Sequence, residues 1–253
     1  VADVFLLHDL ATTQRADDSV LLSTRTGAIP VRRSRGFVPH AVPLPAAGPG
    51  VLAVGGDLKN VPCVTHGARA HLGQHVGDLS HPDAVALLAD TLGHLRRIGS
   101  GEPSLVVHDL HPDYHSTALA KRLARAEGLP TLAVQHHHAH ALACLAENGH
   151  RGPALALTLD GTGYGDDGTV WGGELLWVDG LRMRRLGHLT PLALPGGDRA
   201  AREPWRMALA ALHRAGAGMI TPQRVPSLRG VDPGRLEGVW NLLQQPGALP
   251  LTT

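Results

Sequence analysis

Residues Ala154–Gly180 read ALALTLDGTGYGDDGTVWGGELLWVDG. Ala154 to Leu159 is an apolar run of strand length, and Asp160 ends it. Asp160 to Gly168 holds four glycines in nine residues and reads as a turn. A second strand (Thr169 to Val178), a hairpin turn at Asp179-Gly180 and a third strand (Leu181 to Leu189) complete a meander. About a hundred residues earlier the same order occurs. Val51 to Val54 is a short apolar strand, and Gly55-Gly56-Asp57-Leu58-Lys59-Asn60 a glycine turn. Further extended runs follow at Val61 to Thr65 and Arg69 to Leu72.

Between the two meanders the period changes to helical. His81 to Ile98 carries Val85, Leu88, Leu92 and Leu95 on one face. Leu105 to Val107 is a buried strand, Ser116 to Ala126 a helix, and Leu132 to Val134 a strand leading into a helix that stops at Asn148-Gly149. Two strand–turn–strand units separated by βα units predict a duplicated α/β nucleotide-binding fold; a chance echo in a glycine-rich chain is the plain alternative. Ahead of this lie short extended runs at Val4 to Leu7, Ser19 to Leu22 and Ile29 to Val31. Val38 to Gly50, with four prolines and two glycines, reads as a linker or extended wrap.

Composition narrows the function classes. The chain has 253 residues, 43% hydrophobic and 18% charged, as a folded domain requires. A net charge of +1 argues against bulk attraction to nucleic acid or an anionic membrane, and 3% aromatic content leaves few surfaces for base stacking. No apolar run nears the ~20 residues a membrane helix needs, and no signal-peptide pattern opens the chain. Cys63 and Cys144 lie far apart in apolar surroundings, so reduced thiols in a cytoplasmic protein are expected. Both ends of the chain read as cuts within a longer design.

Three stretches carry chemistry. Val134 to Cys144, VQHHHAHALAC, places four histidines within five positions. On a helix His136 and His140 stand one turn apart on one face, where two imidazoles can share a zinc or iron ion. His137 and His140 form a competing pair, and a solvated helix end is the plain alternative. Asp160, at the carboxyl end of its strand, could supply the missing carboxylate. The glycine turns at Gly55-Gly56, Gly161-Thr162-Gly163 and Gly196-Gly197 let backbone N–H groups approach a phosphate. Thr162 adds a hydroxyl, Lys59 a cation, and Asp198 either a ribose contact or a helix cap. Each turn also suits an ordinary loop, and neither common nucleotide motif is present. In the third stretch, VHDLHPDY (Val107 to Tyr114), polar groups are presented at a strand end, with Asp113 read as a helix cap. Cys144 reads as a buried core thiol.

AVGGDLKN (Ala53 to Asn60), GQHVGDL (Gly73 to Leu79), HDLHPDYHST (His108 to Thr117), VQHHHAH (Val134 to His140), LDGTGYGDDGTVWGGE (Leu159 to Glu174) and LPGGDRAAREPWRMA (Leu194 to Ala208) occur in this order. Together they resemble the HypF family of hydrogenase-maturation carbamoyltransferases. The resemblance implies that residues 1–44 end a YrdC-like α/β domain. Residues 45–150 would form a first actin/sugar-kinase-like (ASKHA) subdomain, and 151–253 the start of a second one, incomplete. RADDSV (Arg15 to Val20) and RRSRGFVP (Arg32 to Pro39) carry the YrdC-like part of the likeness.

The implied activity is passage of a carbamoyl group from carbamoyl adenylate, made from carbamoyl phosphate and ATP, to the C-terminal cysteine of a HypE-like acceptor. The implied metal ligands are His136, His140 and Asp160, holding a divalent ion, iron or zinc, with His137 and His138 in supporting or surface roles. The nucleotide would rest on Gly55, Gly56, Lys59, Gly161, Thr162, Gly163, Gly196, Gly197 and Asp198. The family's fourth metal ligand would lie beyond residue 253, and its acylphosphatase and zinc-finger domains before residue 1, so weak activity or none is expected of this stretch alone. Neighbouring readings are an O-carbamoyltransferase, a tRNA threonylcarbamoyl transferase, or a non-catalytic metal- or nucleotide-binding module.

Overall fold

A computed structural model describes residues 3–7, 9, 15–99, 101–218, 225–245 and 247–253. The side chains of Asp198 and Ser227 also lie outside this description. The chain folds as two compact units, residues 1–107 with 119–131, and residues 108–118 with 132–253.

The first unit opens with an antiparallel hairpin of β1 (Val20–Thr24) and β2 (Gly27–Arg32). Val4 to Leu7, expected to be a short extended run, belongs to no strand and is exposed along its length. β3 (Val42–Ala53) runs antiparallel to β4 (Cys63–Leu72) and parallel to β5 (Leu105–Asp109). The proline-rich stretch, expected to be a linker or extended wrap, is extended from Val42 to Gly50, where it forms the first part of β3. Only Val51 to Ala53 pair with β5, so the prolines occupy the half that has β4 as its one ladder partner. An open edge tolerates residues that cannot donate a ladder hydrogen bond. The expected break between Thr65 and Arg69 is likewise absent: β4 runs through His66-Gly67, with a register irregularity opposite Gly48 in place of a reversal.

Helix α1 (Pro82–Ile98) has His81 as its N-cap, accepting from the Asp83 N–H, and proline in its first turn, where no backbone donor is missed. Its buried stripe is Leu88, Leu92 and Leu95, with Val85 partly buried beside it. These pack with Leu52, Val54, Val64 and Val106 from the sheet and Leu119, Ala120 and Ala124 from α2 (His115–Glu127). Each fully buried leucine contributes about 1.5–3 kcal/mol by its transfer out of water.

In the second unit, β6 (Thr131–Val134) leads into α3 (His136–Glu147). The meander follows as β7 (Ala154–Tyr164), β8 (Val170–Asp179) and β9 (Arg182–His188), all antiparallel. β10 (Leu192–Ala193), α4 (Asp198–Arg202), α5 (Trp205–Arg214), α6 (Pro233–Leu243) and β11 (Leu251–Thr252) complete the unit, β11 lying parallel to β8. Trp171, Leu176, Val178 and Ala141 form the core between α3 and the meander, while Trp205, Leu209, Leu236, Val239 and Trp240 form a separate one. Among the described residues no helix is long and apolar enough to cross a membrane.

The glycine turn of the opening stretch is shorter than its sequence suggested. β7 continues through Gly161 to Tyr164, and only Gly165 to Thr169 reverses the chain. Leu159 pairs with Gly173, and the next pair is Gly163 with Trp171. Asp160, Gly161 and Thr162 thus bulge from the ladder. A bulge of this kind redirects the side chains it carries.

Candidate metal centre

The bulge brings Asp160 to the first turn of α3. That turn is set by Gln135, in extended conformation, whose side-chain oxygen accepts from the His138 N–H at 2.9 Å. The Gln135 amide nitrogen also donates to the Tyr164 carbonyl at 3.2 Å, tying the helix start to β7. From this start the His136 and His140 rings lie one turn apart, with Nε2 atoms at 3.2 Å. Asp160 Oδ2 is 3.1 Å from His136 Nε2 and 3.4 Å from His140 Nε2. Ligand atoms ~2.0–2.1 Å from one metal ion, at tetrahedral to right angles, stand about 2.8–3.4 Å apart. The three separations fit that range, and two imidazoles with a carboxylate suit zinc or iron(II). Among the described residues this is the one group of His, Cys, Asp and Glu ligand atoms close enough to share an ion.

The other nitrogen of His136 is also engaged. Its Nδ1 lies 2.6 Å from Asp109 Oδ2, on a carboxylate that is almost fully buried. Asp109 Oδ1 accepts from the His111 N–H at 2.8 Å. In the metal-free chain, the bond to Asp109 first and that to Asp160 second raise His136 to about 9. The Asp160 carboxyl is held well below the usual carboxylate range, by His136 first and His140 second.

The remaining histidines of the run are buried, so neither has the surface role allowed for it. His138 Nε2 donates to the Gly180 carbonyl at 2.9 Å, pinning α3 to the β8–β9 turn. His137 is fully buried, and burial lowers its proton affinity. Its Nδ1 meets the Gln135 amide at 3.1 Å, and its ring lies 6.2 Å from that of Trp171. Cys144 is exposed, contrary to the core position expected of it. The buried face of α3 is His137, His138 and Ala141, and Cys144 follows His140 along the open face.

Behind the site, Glu174 is wholly buried and paired with Arg185 at 2.6 Å and 3.1 Å, with Thr253 Oγ1 donating to it. Arg185 lies over the Trp171 ring and also meets Asp167 at 3.1 Å. Asp167 accepts from the Trp171 indole N–H at 3.0 Å.

The glycines expected to hold nucleotide fall into distinct settings. Gly161 and Thr162 are exposed in the bulge beside Asp160, and the Gly161 N–H already donates to Asp160 at 2.7 Å. Gly163 is buried. Gly196 and Gly197 lead into α4, the first beside the Arg206 guanidinium. Asp198 opens that helix, its side chain lying outside the described residues. In the first unit, Gly55 has φ +76°, and a Cβ there would meet Asn60 Nδ2 at 2.9 Å. Asn60 is buried and donates to the carbonyls of Val54 and Gly56, so it organises the turn from within. Lys59 is exposed on the same turn.

Asp109, Gln135 and the Glu174–Arg185 pair were not singled out from sequence. HDLHPDY marked the neighbourhood of Asp109, but no spacing rule connects it to a histidine 27 residues later. Glutamine is not among the favoured N-cap residues, which hid Gln135.

The second unit thus combines an α/β fold with a His–His–Asp cluster at a helix start. Two family models match: the HypF Kae1-like domain over residues 46–147, and the carbamoyltransferase Kae1-like domain, second subdomain, over residues 156–253. The chain belongs to the HypF carbamoyltransferase family. It is 53% identical to carbamoyltransferase HypF2 of Cupriavidus necator over 91% of this chain and 29% of that one. Identity to HypF of Rhizobium leguminosarum bv. viciae is 47%, over 91% of this chain and 30% of the relative. The structure of full-length HypF in its phosphate- and nucleotide-bound form matches with a TM-score of 0.84 and 32% identity, over 100% of this chain and 39% of that one. HypF of T. kodakarensis matches at 0.83 and 31%, over 94% of this chain and 32% of that one. The chain thus spans less than a third of the length of these two curated relatives.

Proposed function

We propose that this chain carries the transfer centre of an ATP-dependent carbamoyltransferase of [NiFe]-hydrogenase maturation. In the reaction, a cysteine thiolate at the C-terminus of a HypE-like acceptor attacks the carbamoyl carbon of carbamoyl adenylate. A C–S bond forms as the bond from that carbon to the AMP phosphate oxygen breaks, and AMP leaves. The S-carbamoyl group so formed is the precursor of the cyanide ligand. Carbamoyl adenylate itself arises from carbamoyl phosphate and ATP.

The observation that carries the reading is the convergence of His136, His140 and Asp160 on one point at coordination spacing. A divalent ion held there, zinc or iron, supplies Lewis-acid polarisation of the carbamoyl oxygen. His136 and His140 present their Nε2 atoms from the rigid first turns of α3, and Asp160 closes the set from the bulge. Gly161 and Thr162, exposed beside Asp160, would contact the adenylate, Thr162 through its hydroxyl. Gly163 continues that run, and Gly196, Gly197 and Asp198 form a second nucleotide contact at the start of α4. In the first unit, taken by itself, Gly55, Gly56 and Lys59 suit a phosphate by the same backbone chemistry. The nucleotide-bound state of the full-length HypF structure supports nucleotide binding as part of this reading. The boundaries of the two Kae1-like matches support a division of the chain near residue 150. The setting is cytoplasmic, with no membrane or nucleic-acid partner.

Metal content of purified wild type, His136→Ala and Asp160→Ala tests the site. Stoichiometric zinc or iron in the wild type and its loss from both variants is the expected result; equal metal in all three overturns it. For the chain alone we expect no carbamoylation of a HypE-like thiol above background. ATP- and carbamoyl phosphate-dependent product from it would overturn that expectation.

A further inference from the structure

We infer that Asp109 is a positioning residue for the metal: through His136 Nδ1 it sets which nitrogen of that ring faces the ion. This rests on the metal reading above and goes one residue beyond the ligand set.

A neutral imidazole carries one N–H and one lone pair, and only the lone pair can bind a metal. At His136 the Asp109 carboxylate oxygen lies 2.6 Å from Nδ1, and a carboxylate can only accept. With the ion at Nε2 in place of a proton, the one N–H that the ring keeps is on Nδ1, where the Asp109 carboxylate accepts it. Nε2 is the atom 3.1 Å from Asp160 and 3.2 Å from His140 Nε2. Without Asp109 the ring could hold its proton on Nε2 and block the ion, or rotate away from it. Bonding of this kind also makes the ligand more basic and fixes the ring plane.

Asp109 is itself held on several sides. Its second oxygen takes the His111 N–H at 2.8 Å, and its own carbonyl accepts from Thr117 Oγ1 at 3.3 Å. The Leu110 N–H bonds to the Val134 carbonyl at 2.9 Å, fixing the segment after Asp109 to the strand that precedes α3. The carboxylate is only 7% exposed, so water competes little for it. By contrast His140, whose side chain is 59% exposed, has no carboxylate partner other than Asp160 among the described residues. The two histidine ligands are thus unequal: one is oriented by a buried carboxylate, and the other takes its direction from the helix.

Zinc affinity of the purified protein, by competition with a chromophoric chelator, decides the matter for wild type, Asp109→Ala, Asp109→Asn and His136→Ala. Loss of such an outer partner weakens metal binding by about 10–100-fold. Asp109→Ala is expected in that range. Asp109→Asn, which keeps the shape and loses the charge, is expected to weaken binding by about 10-fold and decides the question if the alanine variant does not fold. Imidazole ¹⁵N shifts of the zinc-loaded wild type should show His136 protonated at Nδ1 and metal-bound at Nε2. Wild-type zinc affinity in the Asp109 variants alongside its loss in His136→Ala overturns the role of Asp109 alone. Wild-type affinity in His136→Ala overturns the metal reading and, with it, this one.

Discussion

Gly163 of β7 passes so close to His137 of α3 that a Cβ there would stand 2.5 Å from the ring Cε1 and 3.0 Å from the Cβ of His136. The strand bearing Asp160 and the helix bearing the two histidines can meet only because residue 163 has no side chain.

Gly163→Ala should therefore push β7 and α3 apart. Overpacking of this kind costs about 1–3 kcal/mol. Because Asp160 is three residues away on the same bulged strand, metal affinity should fall with stability. Denaturant midpoints and zinc titration of the same samples measure both. Wild-type values in each would show that the strand and helix separate without strain.

The four histidines should divide into two behaviours. His140→Ala removes a mostly exposed side chain, so the metal-free protein should change by less than about 0.5 kcal/mol while metal is lost. His138→Ala removes a buried donor to the Gly180 carbonyl and should cost about 1–3 kcal/mol with metal retained. Metal content and urea unfolding of the two variants distinguish the roles.

Arg185→Ala should rank among the more damaging single changes. It leaves the buried Glu174 carboxylate without its cation and uncovers Trp171. Breaking a buried ion pair from one side costs about 3–5 kcal/mol. Chemical unfolding checks this, and Arg185→Ala with Glu174→Gln together should be less destabilised than Arg185→Ala alone.

The two thiols should label in order. Cys144 is exposed, whereas burial pushes the Cys63 thiol up to about 11 from an ordinary 9.0. Iodoacetamide at pH 8 should modify Cys144 first and Cys63 only on unfolding. The sign of the pH effect follows: the unfolded chain loses this proton more readily than the folded one. The stability contribution of Cys63 is thus complete below pH 9 and declines as pH rises towards 11. Cys63→Ser should flatten that part of the stability–pH curve.

Much of the fold was legible in residues whose signals are local. The stripe on α1, the stop of α3 at Asn148 and the hairpin turn at Asp179-Gly180 follow from periods and caps that need no distant partner. The misreadings have a shared cause. Val42 to Gly50 looked unfit for a strand, yet a ladder on one side was enough to hold its prolines. Asp160 to Gly168 looked like one long turn, yet pairing with β8 drew its first half into the sheet as a bulge. Cys144 looked apolar by its neighbours, yet the orientation of α3 on the meander left its face open.

The residues proposed to hold the metal divide along the same line. That His136 and His140 share a face is a property of any α-helix, fixed by 3.6 residues per turn, so the sequence by itself determined that pair. It also determined the order of strands and glycine turns by which the chain resembles its family. Only the tertiary structure decided that Asp109 would reach His136 from another strand, and that a bulge would swing Asp160 between the two rings. Contacts across 27 residues depend on how the elements pack, and a packed arrangement is chosen by shape and burial, which no local spacing encodes.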